Sequence, residues 1–189
     1  LCQANPTVGA LSGNADKVRK FRADAAAQGA DLLVFSELVI SGYPPEDLVL
    51  KPFFLDKVEQ VVEGLAAETA DGGPAIIVGA PHESEGTITN AVFVLDDGEI
   101  KTRRDKVNLP NYGVFDDKRN FTAGDMPGPV QLRGMRLGLP ICEDIWTPDV
   151  VECVSETGGE LLLVPNGSPF DSRKRDNRLQ HATARVVES

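Results

Sequence analysis

Gly29-Ala30-Asp31-Leu32-Leu33-Val34-Phe35-Ser36-Glu37 is the stretch on which the fold turns. Leu32 to Phe35 is a short unbroken apolar run of the kind found in strands covered on both faces. Before it, residues 14–28 carry Val18, Phe21 and Ala25 at helical spacing, with Asn14 as a candidate N-cap and Gly29 as a stop. Ala75-Ile76-Ile77-Val78-Gly79 and Leu161-Leu162-Leu163-Val164-Pro165 are two further runs of the buried type. Helical patterns precede them, over 55–70 (Leu55, Val58, Val62 and Leu65 on one stripe) and over 148–157, and a last one covers 173–188. This alternation predicts an α/β protein.

Hairpin signals make the predicted sheets mixed rather than purely parallel. Asp96-Asp97-Gly98 joins 87–95 to 99–103, and Arg133-Gly134 sits inside a strand pair over 130–141. Residues 41–52, with Pro44, Pro45, Pro52 and Gly42, read as a structured loop. Residues 106–128 form a long stretch of little periodicity, rich in Pro, Gly, Asn and Asp. Loops of that length inside compact domains are usually functional or disordered, and Tyr112, Phe115 and Phe121 favour a packed, functional one.

The chain of 189 residues, 41% hydrophobic and 25% charged, suits one domain or one and part of another. Its 29 acidic and 19 basic residues give a net charge of −10, which repels phosphate backbones and anionic lipid and argues against nucleic-acid or membrane partners. No apolar run approaches the ~18–20 residues of a membrane span. No basic-then-apolar leader opens the chain, which begins at Leu1 without a Met. Cys2, Cys142 and Cys153 show no CxxC spacing, which argues against a disulfide framework and a zinc site and points to a cytoplasmic protein. With His82 and His181 the only histidines and no HExxH or EF-hand loop, no metal site is expected.

In α/β proteins the C-terminal ends of strands converge on the ligand crevice. Glu37, Cys142 and Ser168 each follow a strand-like run, and Lys106 sits just past the second hairpin strand. A thiol, a carboxylate and an ammonium brought together would make a nucleophile, its base and an oxyanion partner. Taken singly, Cys142 reads as a packing residue, Glu37 as a loop carboxylate or helix cap, and Lys106 as a surface lysine. A Cys142–His82 pair is an alternative, although neither histidine has a setting distinguishing it from a solvated residue.

Three ordered blocks lift the constellation above its parts: Ser36-Glu37-Leu38-Val39-Ile40-Ser41-Gly42-Tyr43, Asp105-Lys106-Val107-Asn108-Leu109-Pro110-Asn111-Tyr112-Gly113-Val114-Phe115-Asp116, and Pro140-Ile141-Cys142-Glu143-Asp144-Ile145-Trp146. They resemble the Glu, Lys and Cys blocks of the nitrilase (carbon–nitrogen hydrolase) superfamily. Gln3-Ala4-Asn5-Pro6-Thr7-Val8-Gly9 and Pro165-Asn166-Gly167-Ser168-Pro169-Phe170 narrow the likeness to the glutaminase domains of glutamine-dependent NAD+ synthetases. That resemblance implies an α-β-β-α sandwich with mixed sheets over 1–189, truncated at the C-terminus. It also implies that the ATP-dependent synthetase domain is absent from the chain.

The resemblance further implies hydrolysis of L-glutamine, with Cys142 as nucleophile, Glu37 as general base and Lys106 as oxyanion donor that also lowers the thiol pKa. Tyr112, Ser168 and Lys174 match glutamine-binding positions; Glu143, next to the nucleophile, is expected to anchor Lys106 or contact the substrate ammonium. Asp171-Ser172 departs from the histidine or tyrosine common after Ser-Pro-Phe, which leaves the loop near Lys174 less well matched. No cofactor is expected for this step. ATP and Mg2+ belong to the synthetase domain, whose SGGxDS-type loop is missing here, and a homo-oligomer is expected. Two rivals stand beside this reading: another amidase or carbamoylase of the same superfamily, and a non-catalytic α/β binding module.

Overall fold

The computed structural model describes residues 1–169 and 174–188, with only the backbone of Lys174 and Arg175. Helix α1 (Leu11–Ala26) leads into strand β1 (Leu32–Val34), and helix α2 (Pro52–Glu68) into strands β2 (Ala75–Ser84), β3 (Thr87–Asp96) and β4 (Glu99–Asp105). A short helix α3 (Asp117–Asn120) lies in the long loop, followed by β5 (Val130–Leu132), β6 (Met135–Gly138), α4 (Asp149–Glu156), β7 (Leu161–Leu162) and α5 (Lys174–Glu188). The strands form two sheets, ordered β1-β2-β3-β4 and β5-β6-β7. β1–β2 and β6–β7 are parallel, and the hairpin pairs are antiparallel.

Alternation along the strands builds the layers. Ile76, Val78 and Ala80 of β2 join Val18 of α1 and Val58, Val62 and Leu65 of α2 in one core. Their neighbours Ala75 and Ile77 join Val92, Val94, Val130, Leu132, Leu137, Ile141 and Cys142 in a second core between the sheets. A period of two thus sends successive side chains to opposite faces. On the far side, Val150, Val151 and Val154 of α4 are buried. A Cβ on Gly138 would lie 2.5 Å from Val154 Cγ1, so the bare glycine lets α4 close on β6. Helices, sheet, sheet, helix: this is the mixed-sheet α-β-β-α sandwich expected.

Local details differ from expectation. Helix α1 begins three residues before Asn14, which is fully buried and caps nothing. Its amide instead accepts from Thr7 N–H (2.9 Å) and donates to the carbonyls of Thr7 (2.8 Å) and Ile40 (2.9 Å). A tertiary tie has displaced the local capping use of this side chain. Among the described residues, the two-residue hairpin turns Glu85-Gly86, Asp97-Gly98 and Arg133-Gly134 place both residues at positive φ. Such turns match the right-handed twist of the flanking strands. The apolar run alone does not mark the Glu85-Gly86 turn, because β2 continues five residues past Gly79. Pairing in β7 is shorter than the apolar run 161–165, extending past Leu162 by one bond from Leu163 N–H to Gly138 O (2.9 Å).

Candidate active site

Glu37 leaves the sheet just beyond β1. Phe35 N–H donates to Ile77 O (3.0 Å) and Ile40 N–H to Gly79 O (3.1 Å), so the chain folds back over β2 between those bonds. Leu38 adopts φ +47°, and a Cβ on Gly79 would meet Leu38 N at 2.3 Å; only glycine lets the Glu37-Leu38 backbone lie this close. Lys106 follows the last residue of β4 and is pinned through its N–H to Asn90 O (2.8 Å). Cys142 begins a turn of 3₁₀ helix (Cys142–Ile145) at φ +46°, with its N–H donating to Pro165 O (3.0 Å).

These elements bring the expected residues together. Lys106 Nζ donates to Glu37 Oε1 at 2.7 Å with both side chains fully buried. The Cys142 thiol, also buried, feels the charges of both Glu37 and Lys106. Five further residues, to which the sequence assigns no role, complete the cluster. Asp117 Oδ2 accepts from Lys106 Nζ at 2.8 Å, while its Oδ1 accepts from the Tyr43 hydroxyl at 2.8 Å. Asn90 Nδ2 donates to Glu37 Oε1 at 2.8 Å, and Gly167 N–H to Glu37 Oε2 at 3.0 Å. Asn166 Oδ1 sits 3.5 Å from Cys142 Sγ and accepts from Ser168 N–H at 2.8 Å. Asp117, in a weakly periodic loop, carries no local signal of its role; Asn166 and Gly167 lie within the 165–170 motif, but nothing in the sequence marks their contacts.

Burial and charge set the protonation states. Burial alone would lower the Lys106 pKa, but the carboxylates of Glu37 and Asp117 outweigh it and hold the ammonium above its ordinary value. Lys106 is therefore a permanent cation between two acids. Burial raises the Cys142 thiol and the Glu37 charge raises it further; Lys106 pulls the other way without prevailing. The expected thiolate-favouring effect of the lysine is thus overridden by desolvation, and the sulfur is a neutral thiol at neutral pH. Such a nucleophile needs a base within reach.

Toward solvent, the half-exposed Tyr112 donates its hydroxyl to Glu143 Oε1 at 2.8 Å, and burial followed by the Glu143 bond pushes its pKa to about 12. Glu143 therefore binds Tyr112, while Asp117 binds Lys106. Tyr112 and Glu143 line an open cavity of about 740 Å³ that also includes Lys118 and Thr147. Ser168 is half-buried beside Asn166, and the Lys174 side chain lies outside the described residues. His82, on β2, packs edge-on against Phe93, with its pKa lowered by burial and by Arg103. His181 packs its ring 4.4 Å from Trp146. Among the described residues, no group of three or more His, Cys, Asp or Glu is placed to hold a metal ion, and no helix is long and apolar enough to cross a membrane.

The chain is 44% identical over its whole length to a glutamine-dependent NAD+ synthetase of Rhodobacter capsulatus, of which it covers 34%. It is 39% identical to the Xanthomonas campestris enzyme of the same description, again covering 34%. It spans about a third of the length of these curated relatives. Among solved structures, the glutamine-dependent NAD+ synthetase of Acinetobacter baumannii superposes with a TM-score of 0.91 at 34% identity, covering 97% of this chain and 35% of that one. An amidase from Nesterenkonia sp. superposes with a TM-score of 0.83 at 28% identity, covering 98% and 70%. The carbon-nitrogen hydrolase family model matches residues 1–189, and the chain belongs to that family.

Proposed function

We propose that this chain is the glutaminase portion of a glutamine-dependent NAD+ synthetase, hydrolysing L-glutamine to glutamate and ammonia through Cys142, Glu37 and Lys106. The observation that carries the reading is the buried Glu37–Lys106 pair at 2.7 Å, with the buried Cys142 thiol near enough to feel both charges. As Sγ attacks the side-chain carbonyl carbon, its proton passes to Glu37. The oxyanion is held by Lys106 Nζ and the backbone N–H of Glu143. Glu37 returns the proton to the departing nitrogen, so the C–N bond breaks to give ammonia and a γ-glutamyl thioester on Cys142. Water, deprotonated by Glu37, then attacks the thioester; the C–S bond breaks, glutamate leaves and the thiol is restored.

Tyr112 and Ser168 are assigned to the polar head of glutamine, Lys174 to its α-carboxylate, and Glu143 to its α-ammonium. The names of the relatives support the destination of the ammonia: ATP-dependent amidation of deamido-NAD+ in the remainder of a longer polypeptide, the step that uses ATP and Mg2+. Residues 1–189 are accordingly part of a hydrolase domain, assigned to a cytoplasmic homo-oligomer. A simpler amidase acting on small amides is the second reading, supported by the superposition on the Nesterenkonia amidase.

The deciding measurement is ammonia release by the full-length protein. Hydrolysis of glutamine but not of simple aliphatic amides is expected, with stoichiometric labelling of Cys142 by a glutamine-like chloroketone. Cys142→Ala is expected to abolish both, and Glu37→Gln to slow turnover by about 10²–10⁴-fold. A Cys142→Ala protein that still hydrolyses glutamine removes the mechanism, whereas preference for aliphatic amides selects the second reading.

A further inference from the structure

Asp144, two residues beyond the nucleophile, is 1% exposed and takes no part in the chemistry above. Its Oδ2 accepts from Ile141 N–H at 2.8 Å, the residue immediately before Cys142. Its Oδ1 accepts from Asn108 N–H at 2.7 Å and Val107 N–H at 3.2 Å, the residues immediately after Lys106. One carboxylate therefore ties the segment that carries the sulfur to the segment that carries the ammonium, across 37 positions of sequence. We propose that Asp144 is a positioning residue, a clasp that sets the distance and direction between Cys142 and Lys106 for the transition state.

Both tethered segments need such a hold. Cys142 has φ +46°, a conformation that side chains other than glycine adopt only when their surroundings impose it. Lys106 is anchored behind the site by its N–H on Asn90 O and by Gly124 N–H on its own carbonyl (2.8 Å each). Beyond it, the N–H groups of Val107 and Asn108 are fixed by Asp144. A carboxylate suits the task because both of its oxygens accept. Asparagine keeps one acceptor and turns an NH₂ toward a backbone N–H, and glutamate adds a methylene to a side chain that is 1% exposed.

The inference rests on the glutaminase reading for its kinetic test and stands apart from it in its exchange test. In the full-length protein, Asp144→Asn is expected to lower kcat for glutamine hydrolysis by about 10–100-fold, the effect of a misplacement of about 1 Å, with KM within about threefold of the parent. Asp144→Glu is expected not to restore it. A kcat equal to the parent's, or a loss confined to KM, overturns the proposal. Should the variant not fold, hydrogen exchange of the parent, followed by mass spectrometry, decides. Peptides containing Val107 and Asn108 are expected to open together with those containing Ile141, as one clasp requires. Independent opening overturns the proposal. If the parent hydrolyses no glutamine, the function fails, and the exchange result still judges the clasp.

Discussion

Lys106 is a full positive charge with no exposed surface, held by Glu37 and Asp117 at 2.7 and 2.8 Å. Buried ion clusters are costly to assemble and far more costly to break from one side. Lys106→Met should therefore do more than end hydrolysis: with two carboxylates left facing each other, urea unfolding is expected to show a loss of about 3–5 kcal/mol. A variant as stable as the parent would mean that the two acids are not charged together. Asp144 adds a pH signature. Burial raises its carboxyl to about 6 from an ordinary 3.8, against the pull of its backbone N–H bonds, so the folded protein binds this proton more tightly than the unfolded chain. That contribution to stability is complete below pH 3.8 and is lost as pH rises through about 6. Relative to Asp144→Asn, which has no such proton, the parent should gain up to about 3 kcal/mol between pH 7 and pH 4. A pH-independent difference in unfolding free energy would contradict it.

At the scale of elements, the site hangs on how closely two backbones approach. β2 passes beneath the Glu37-Leu38 turn at Gly79, where any Cβ would meet Leu38 N at 2.3 Å. Gly79→Ala is expected to lift that turn and carry Glu37 away from Lys106 and Cys142. Its signature is a fall in kcat of about 10²-fold, out of proportion to the change in melting temperature. Normal kcat would show that the turn adapts without moving the carboxylate. Helix and hairpin placement were legible because apolar periodicity and turn chemistry are local properties: Val58, Val62 and Leu65 marked the stripe of α2, and Asp97-Gly98 marked its turn. Asn14 was misread for the complementary reason. Its partners at Thr7 and Ile40 lie outside any window in which capping is judged.

Across the whole molecule, the two cores have different consequences. Ile77 belongs to the core between the sheets, which includes Cys142 itself; Val62 belongs to the core under the helices, which does not. Ile77→Ala should cost about 2–5 kcal/mol and lower kcat as well, because the core that includes Cys142 relaxes into the cavity. Val62→Ala should cost stability alone. Equal kinetic effects from both would show that the layers do not isolate the site.

The order of helices and strands, the mixed character of the sheets and the Glu, Lys and Cys blocks could be read from the sequence, because each rests on residue chemistry and short-range backbone preference. Only folding decided who meets whom: Gly167 donates to Glu37 across 130 residues, Asp117 shares Lys106, and Asn90 joins both. The thiol shows why that matters. A lysine near a cysteine suggests a thiolate, yet burial beside a carboxylate raises the Cys142 pKa, because desolvation and Coulomb energy depend on neighbours in space rather than along the chain.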